Sequence, residues 1–421
     1  MVRTAAAATV DTMELGIYAH PWDLRALDAH GGLRRLCDLG FRDVALAVSY
    51  HAGRWLTPWQ KGSKVRFLED GTVHYRPRGD YGRLQPKESS EVRGSEPSPL
   101  EWLCEHAPRT GLRARAWAVL THNTRLGELH PDCCVQNAFG DAYTYSLCHA
   151  NDHVQRYAVA MVRDLCAHPG LDAIELEAIG SLGHRHSSHH DKNSFPANAF
   201  TDALMSACFC GACMRGMAEL KIGEESLGEA RTAALRAKIC SLLAAHFDQD
   251  CMSVTSQKHT PQQLLDQLQA DVGHDVVAIL GQRTISFLKM LMTMQTERPS
   301  SIRISAQTNF DSLRGNAALP FAVVGGFVQE CAMTVYGEKA ADVASSLPHL
   351  LAATGEAARP AAPQPALRLC LHPRTPQYQT DEDLVTVREL CRQHGIGSIS
   401  IYHMGLLPWR TIERAARVLT A

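Results

Sequence analysis

The sequence predicts an α/β fold, a (β/α)8 TIM barrel, on three observations. Short apolar runs alternate with amphipathic helical segments along the chain. Eight such runs occur, and they are apolar enough for burial on both faces. Alternating strand and helix argues for a parallel sheet, and eight units close into a barrel. An open, doubly wound sheet is the alternative arrangement of the same units.

Taken in order, the first strand is Glu14–His20, followed by a helix from about Asp23 that stops at Gly40. Asp43–His51 is the second strand. A polar insertion at about 53–97 comes next, in which Val65–Leu68 and Val73–Tyr75 flank Asp70-Gly71, a hairpin-turn dipeptide. The helix Pro99–Pro108 and the strand Ala114–Asn123 make the third unit. A second insertion, about 124–151, precedes the helix Asp152–Ala167 and the fourth strand, Leu171–Gly180. A helical region from Ala197 to about Thr296 fills most of a third insertion, about 181–300. Within it Thr260-Pro261-Gln262-Gln263 supplies an N-cap, an N1 proline and an N3 glutamine. Strands recur at Ser301–Asn309, Glu330–Tyr336, Ala366–His372 and Gly397–His403, with helices at Glu338–Ala353, Asp381–His394 and Trp409–Leu419. The Pro/Ala-rich Ala357–Pro365 resembles a linker. A cut there would leave six strands on one side and two on the other, so residues 1–421 are read as one barrel domain.

Lys+Arg of 42 against Asp+Glu of 44 argues against nucleic acid or an anionic membrane as partner. The most apolar stretch, Val276–Met294, is interrupted by Gln282, Arg283 and Lys289, which favours a buried helix over a membrane span. The N-terminus, with one Arg, an alanine run and then Asp11, is at best a weak match to a signal peptide. Fourteen cysteines without an export signal predict a reducing, cytoplasmic setting. Most of them (Cys37, Cys104, Cys166, Cys240, Cys251, Cys331, Cys370, Cys391) read as small core residues. A homo-oligomer is left open.

In such barrels chemistry sits at the C-terminal strand ends. Here those ends carry His20, Tyr50 and His51, His122 and Asn123, Glu175 and Glu177, Gln307 and Asn309, Tyr336, His372, and Tyr402 and His403. A lone His or Tyr at a strand end is usually a loop contact. The whole set suits a pocket for a sugar or polar metabolite, with His20, His122, Asn123, Asn309, Tyr336, His372 and Tyr402 as substrate contacts. Glu175 and Glu177 share one side of their strand, roughly 6.5–7 Å apart at Cα. A buried carboxylate pair raises at least one pKa and makes a general acid, and Glu177 lies nearer the mouth. For Glu175 an interior salt bridge, to Arg115, is the competing reading.

Cys208-x-Cys210-x-x-Cys213 places three thiols within six residues, a spacing that closes on a tetrahedral metal with one ligand from elsewhere. Cys148 is one candidate for that ligand; Cys133 and Cys134 are the others. Four sulfur ligands make a closed, structural zinc site. The loop Gly183–Lys192, with His184, His186, His189 and His190, reads as a substrate-contacting lid, with a second metal site as its rival.

Residues 112–225 resemble a known family. Cys148-His-Ala-Asn-Asp opens a helix, a strand with an acidic residue runs to Gly180, and Cys-aromatic-Cys-x-x-Cys continues into Met217-Ala-Glu-Leu-Lys-Ile-Gly223. This pattern is similar to the zinc-binding β-galactosidases of glycoside hydrolase family 42 and to glycosyl-hydrolase-like barrels with the same cysteines. The resemblance implies structural Zn2+ on Cys148, Cys208, Cys210 and Cys213, with Glu177 as acid/base. The chain differs in having Leu176-Glu177 for the family's Asn-Glu, a His-rich insertion before the cysteines, and His372 where the family's nucleophilic Glu stands. A retaining mechanism needs a second carboxylate about 5–5.5 Å away, for which Glu330 and Asp311 are the candidates.

The expectation is therefore a glycoside hydrolase-like enzyme acting on a small glycoside, with Glu177 as acid/base and Glu175 beside it. Two alternatives share the fold. One is an isomerase, epimerase or lyase whose catalytic metal is held by the glutamates and strand-end histidines. The other is a barrel that binds carbohydrate without catalysis.

Overall fold

Eight parallel strands close on themselves in the computed structural model, which describes residues 13–186, 192–196, 198–256, 259–299, 301–308, 324, 326–347 and 365–421. The strands are β1 Glu14–Ala19, β2 Phe41–Tyr50, β3 Arg113–Val119, β4 Leu171–Glu177, β5 Arg303–Thr308, β6 Glu330–Thr334, β7 Ala366–Leu371 and β8 Ser398–Ile401. Each pairs with the next, and β1 pairs with both β2 and β8, which rules out the open sheet. All eight expected strands are present, and each ends one to four residues before the expected limit.

Alternation along each strand divides the residues cleanly. Ile17, Val44, Ala116, Ile174, Ile304, Met333, Leu369 and Ile399 face the helices and join the main apolar core. The residues between them face the barrel axis, where an apolar group that includes Ala45, Trp117, Val119 and Ala332 lies beside a layer of charged side chains. Arg115 on β3 pairs with Glu175 on β4 at 3.1 Å and with Glu330 on β6 at 2.5 Å. Arg368 on β7 pairs with Asp43 on β2 at 3.0 Å and with Glu330 at 3.2 Å. All five side chains are nearly inaccessible, so the ions survive only because each is paired. Gly16 makes room for this layer: a Cβ there would lie 2.4 Å from Asp43 and 2.6 Å from Arg368.

The expected hairpin about Asp70-Gly71 is not formed. Val65–Leu68 pairs instead with Gly53–Leu56, while Thr72–Val73 runs antiparallel to Ser49–Tyr50 on the barrel. The Asp70 carboxylate accounts for the difference. It accepts from Ala52 N–H and Arg125 N–H, both at a distance under 3 Å (2.9 and 2.8 Å), and so pins the chain where it crosses from hairpin to barrel.

The third insertion builds a second apolar cluster from the helices Ala199–Ser206, Gly211–Glu219, Gly228–Phe247 and Pro261–Val272. The expected cap is present, with Thr260 N–H donating to Gln263 Oε1 at 2.9 Å. The helical stretch His274–Glu297 meets the length and composition of a membrane span, yet buries Phe287, Met290, Leu291 and Met294 in the main core. Asn309, Asp311, His189, His190, residues 357–364 and the end of the expected helix Glu338–Ala353 lie outside the described residues.

Candidate active site

Glu177 is the last residue of β4, and the chain turns sharply after it. Ala178 adopts φ 50°, a left-handed conformation that costs a non-glycine residue about 1–2 kcal/mol. Thr121 holds that turn. Its N–H donates to Ala178 O at 2.8 Å, and its hydroxyl reaches Ala178 O and Gly180 O at 2.5 and 2.6 Å. The carboxyl at the mouth therefore stands on a fixed backbone.

Aromatic rings surround that carboxyl. The Trp117 indole donates to Glu177 Oε2 at 2.6 Å. Tyr50 meets Trp117 edge-on with centroids 5.1 Å apart, and its hydroxyl lies 3.2 Å from that of Tyr402. Tyr336 stacks on Tyr402 at 4.3 Å, and its hydroxyl is buried without a partner. Burial is the chief cause that lifts the Glu177 pKa to about 7; the charge of Glu175 adds to it, and hydrogen bonds from Trp117 and Gln307 oppose it. At neutral pH this group both holds and releases a proton, which suits an acid/base catalyst.

Glu175 faces the same side as Glu177 but one layer deeper. Its carboxylate is bound by Arg115, by the Tyr18 hydroxyl and by Gln307 Nε2 at 3.2 Å. Gln307 thus bonds both glutamates. Glu330, a candidate second carboxylate, sits in the interior with Arg115 and Arg368, which outweigh its burial and hold its pKa well below the usual range.

The other expected contacts divide into two groups. Tyr336, Tyr402 and His372 gather at the mouth, His372 with its ring 5.8 Å from that of Tyr402. Burial lowers the His372 pKa to about 4. His20 is fully buried beside them, stacked on Trp22 at 4.4 Å and 5.0 Å from His403, with neither ring nitrogen bonded. His122 instead lies between His51, stacked at 3.9 Å, and His186 at 4.4 Å. Asn123 is a helix cap, accepting from Leu126 N–H at 2.9 Å.

Three residues at the site were not singled out as site residues from sequence. Trp117 and Tyr18 lie inside strands, and counting every second residue back from a strand end would have found them. Trp55 has no such signal: it comes from the hairpin in the first insertion and meets His20 and His403 edge-on at 4.5 and 4.6 Å.

Cys148, Cys208, Cys210 and Cys213 place their sulfurs within 4.8 Å of one another, so the group could hold a metal ion. Cys148 Sγ lies 3.6 Å from Cys210 and Cys213 and 3.8 Å from Cys208. Bonds of about 2.3 Å to a tetrahedral ion give sulfur–sulfur edges of ~3.8 Å, so the donor set fits. Around it Phe209 N–H donates to Gln136 O at 2.7 Å, and Leu182 N–H donates to Ser146 Oγ at 2.9 Å. The cysteine group therefore ties the second insertion to the Cys208–Cys213 segment of the third, and the Ser146–Leu182 bond ties the second insertion to the loop leaving Glu177.

No family model and no curated protein matches the chain. Solved structures share its fold. The catalytic domain of a β-amylase from Paenibacillus polymyxa aligns at TM-score 0.52 and 9% identity, over 98% of this chain and 99% of that domain. A β-galactosidase from Bacillus circulans sp. alkalophilus aligns at 0.52 and 12%, over 97% of this chain and 55% of that one. A β-galactosidase from Rahnella sp. R3 gives 0.50 and 10%, over 99% and 56%. The chain thus shares the barrel fold of these structures, and spans little more than half the length of the β-galactosidases it matches.

Proposed function

We propose that the protein is a glycoside hydrolase acting on a small glycoside, with Glu177 as proton donor. The observation that carries this reading is a carboxyl at the barrel mouth, hydrogen-bonded by Trp117, ringed by tyrosines and lifted to about 7. Aromatic faces suit the C–H faces of a sugar ring. Protonated Glu177 would give its proton to the glycosidic oxygen as the bond to the anomeric carbon breaks. Glu177, then ionised, would take a proton from the water that adds to that carbon. In this scheme Glu175 does not react; it remains ion-paired to Arg115 and raises the Glu177 pKa by its charge.

The four cysteines are proposed to hold a structural zinc. With sulfur in all four positions it would offer no open coordination site, and its role would be to brace the Glu177 loop. A catalytic metal at the mouth is less well supported, because the four cysteines are the only group of metal-ligating donors so close together among the described residues. The unpaired state of all fourteen cysteines supports a reducing compartment.

A panel of p-nitrophenyl glycosides tests the proposal. Turnover of at least one member, lowered roughly 10²–10⁴-fold in Glu177→Gln, supports it. Turnover of an alkyl glycoside, whose leaving group needs the proton, that is unchanged in that variant rejects Glu177 as the acid. A panel with no turnover, alongside saturable sugar binding, would favour the binding-only barrel.

A further inference from the structure

The first insertion carries a cluster of polar groups that the proposed chemistry does not use. A cleft of about 90 Å3 opens between the hairpin Gly53–Leu68 and the segment 72–91. That space holds several waters or one small polar group. Arg66, Trp22 and His74 line it. The Arg66 guanidinium lies over the Trp22 ring, 5.2 Å from its centroid, and its Nε is buried without a hydrogen-bond partner. Trp22 is only 7% exposed, and its indole N–H is also unpartnered. His74 is buried and fixed by Ser89 Oγ at 2.8 Å.

The acids at this cleft already have partners. Glu69 accepts from Ser90 N–H at 3.0 Å and pairs with Lys87 at 3.3 Å and Arg93 at 3.6 Å. Glu91 pairs with Arg25. Arg66 is the one cation among the residues that line the cleft, and it has no carboxylate within ion-pair distance among the described residues, whereas the two lining carboxylates, Glu69 and Glu91, are paired with Arg25, Lys87 and Arg93 from outside the lining. An indole N–H only donates, and a guanidinium fork matches planar or tetrahedral oxyanions. A neutral polyol would satisfy the donors but leave the charge unmatched.

We propose that this cleft binds an oxyanion, a carboxylate or phosphate carried by the ligand. Tyr50 connects it to the mouth: it lines the cleft, and its ring also packs on the Trp117 that holds Glu177. Resting on the glycosidase reading, the substrate class becomes a glycoside with an acidic substituent.

Calorimetric titration of the full-length protein tests the site with glucuronate, inorganic phosphate, glucose 6-phosphate and glucose. At least one anion should bind saturably and at least roughly tenfold more tightly than glucose, with affinity falling as salt rises. Preference for glucuronate assigns a carboxylate; preference for the two phosphates assigns a phosphoryl group. Arg66→Gln should weaken the anion roughly tenfold or more, and Trp22→Phe, which keeps a ring, by a smaller factor. If circular dichroism shows Arg66→Gln misfolded, Arg66→Lys decides, because it keeps the charge and loses the fork. Absence of anion binding, equal binding of glucose, or unchanged affinity in the folded Arg66 variant overturns the proposal. These titrations need no turnover, so a protein that binds oxyanions but cleaves no glycoside would sink the hydrolase reading alone.

Discussion

Trp117 and Glu177 are joined by a 2.6 Å hydrogen bond that runs diagonally across the sheet, since the register partner of Trp117 is Glu175. The bond favours ionised Glu177, while burial and the charge of Glu175 favour the protonated acid. Trp117→Phe keeps a ring and removes the donor. The Glu177 pKa should then rise above about 7, by roughly one unit for a charge-assisted bond. Carbon-13 NMR of labelled glutamate would read it directly, and the alkaline limb of the pH–rate profile should follow it upward. A pKa that stays put or falls refutes this account of the site.

Glu177 should also cost stability in a pH-dependent way. Its folded pKa of about 7 is raised from the ordinary 4.5, so the fold favours the protonated form. Wild-type stability should therefore be greatest below about pH 4.5 as far as this group is concerned, and decline as pH rises toward 7. Glu177→Gln cannot ionise and avoids that decline. Its advantage over wild type should be small at pH 4.5 and grow to roughly 2 kcal/mol at pH 8, taking the shift at 1.36 kcal/mol per unit and discounting for the open mouth. Urea midpoints at the two pH values check it. Equal differences at both would mean that Glu177 titrates normally.

What could be read in advance follows from period. The inward set Arg115, Trp117 and Val119 and the outward set Ala114, Ala116 and Ala118 are separated by simple alternation, so strand number and the orientation of Glu175 and Glu177 were legible, whereas closure over an open sheet was decided by the pairing of the first strand with the last. The Arg115–Glu175 pair could be named from sequence as an alternative, because each residue faces the axis. The part played by the insertions was not legible. Trp55 reaches the mouth only because Gly53–Leu56 pairs with Val65–Leu68, a register set by the tertiary contacts of Asp70 rather than by the Asp70-Gly71 turn signal. Asn123 likewise has the composition of a ligand contact, and its engagement as a helix cap depends on where the next helix starts.

Arg115 is expected to be among the most sensitive positions in the barrel. Replacing it with Met would leave Glu175 and Glu330 facing each other with one cation fewer, and should destabilise the fold by about 3–5 kcal/mol. The double variant Arg115→Met, Glu330→Gln removes one of the stranded charges and should recover part of the loss. Chemical denaturation of the single and double variants measures this. A double variant no more stable than Arg115→Met would show that the loss comes from packing, not from unpaired charge.

The cysteine group makes the last prediction, because a structural zinc there and a catalytic ion at the mouth respond differently to metal removal. If Cys148, Cys208, Cys210 and Cys213 hold a closed zinc site, purified protein should carry about one zinc per chain. Cys210→Ser should lower both the zinc content and the thermal midpoint, since metal binding contributes to folding free energy. Cys133 lies close by, its carbonyl accepting from Cys148 N–H at 2.8 Å, but it is outside the sulfur group. Cys133→Ser should therefore leave the zinc content unchanged, which separates loss of a ligand from general disturbance of this loop. A mild chelator should spare turnover, because a buried, fully sulfur-ligated ion exchanges slowly and takes no part in the reaction. Activity lost on chelation and restored by Mn2+ or Mg2+ would mean that a different, catalytic ion is bound at the mouth, and would move the assignment from hydrolase to a metal-dependent lyase or isomerase.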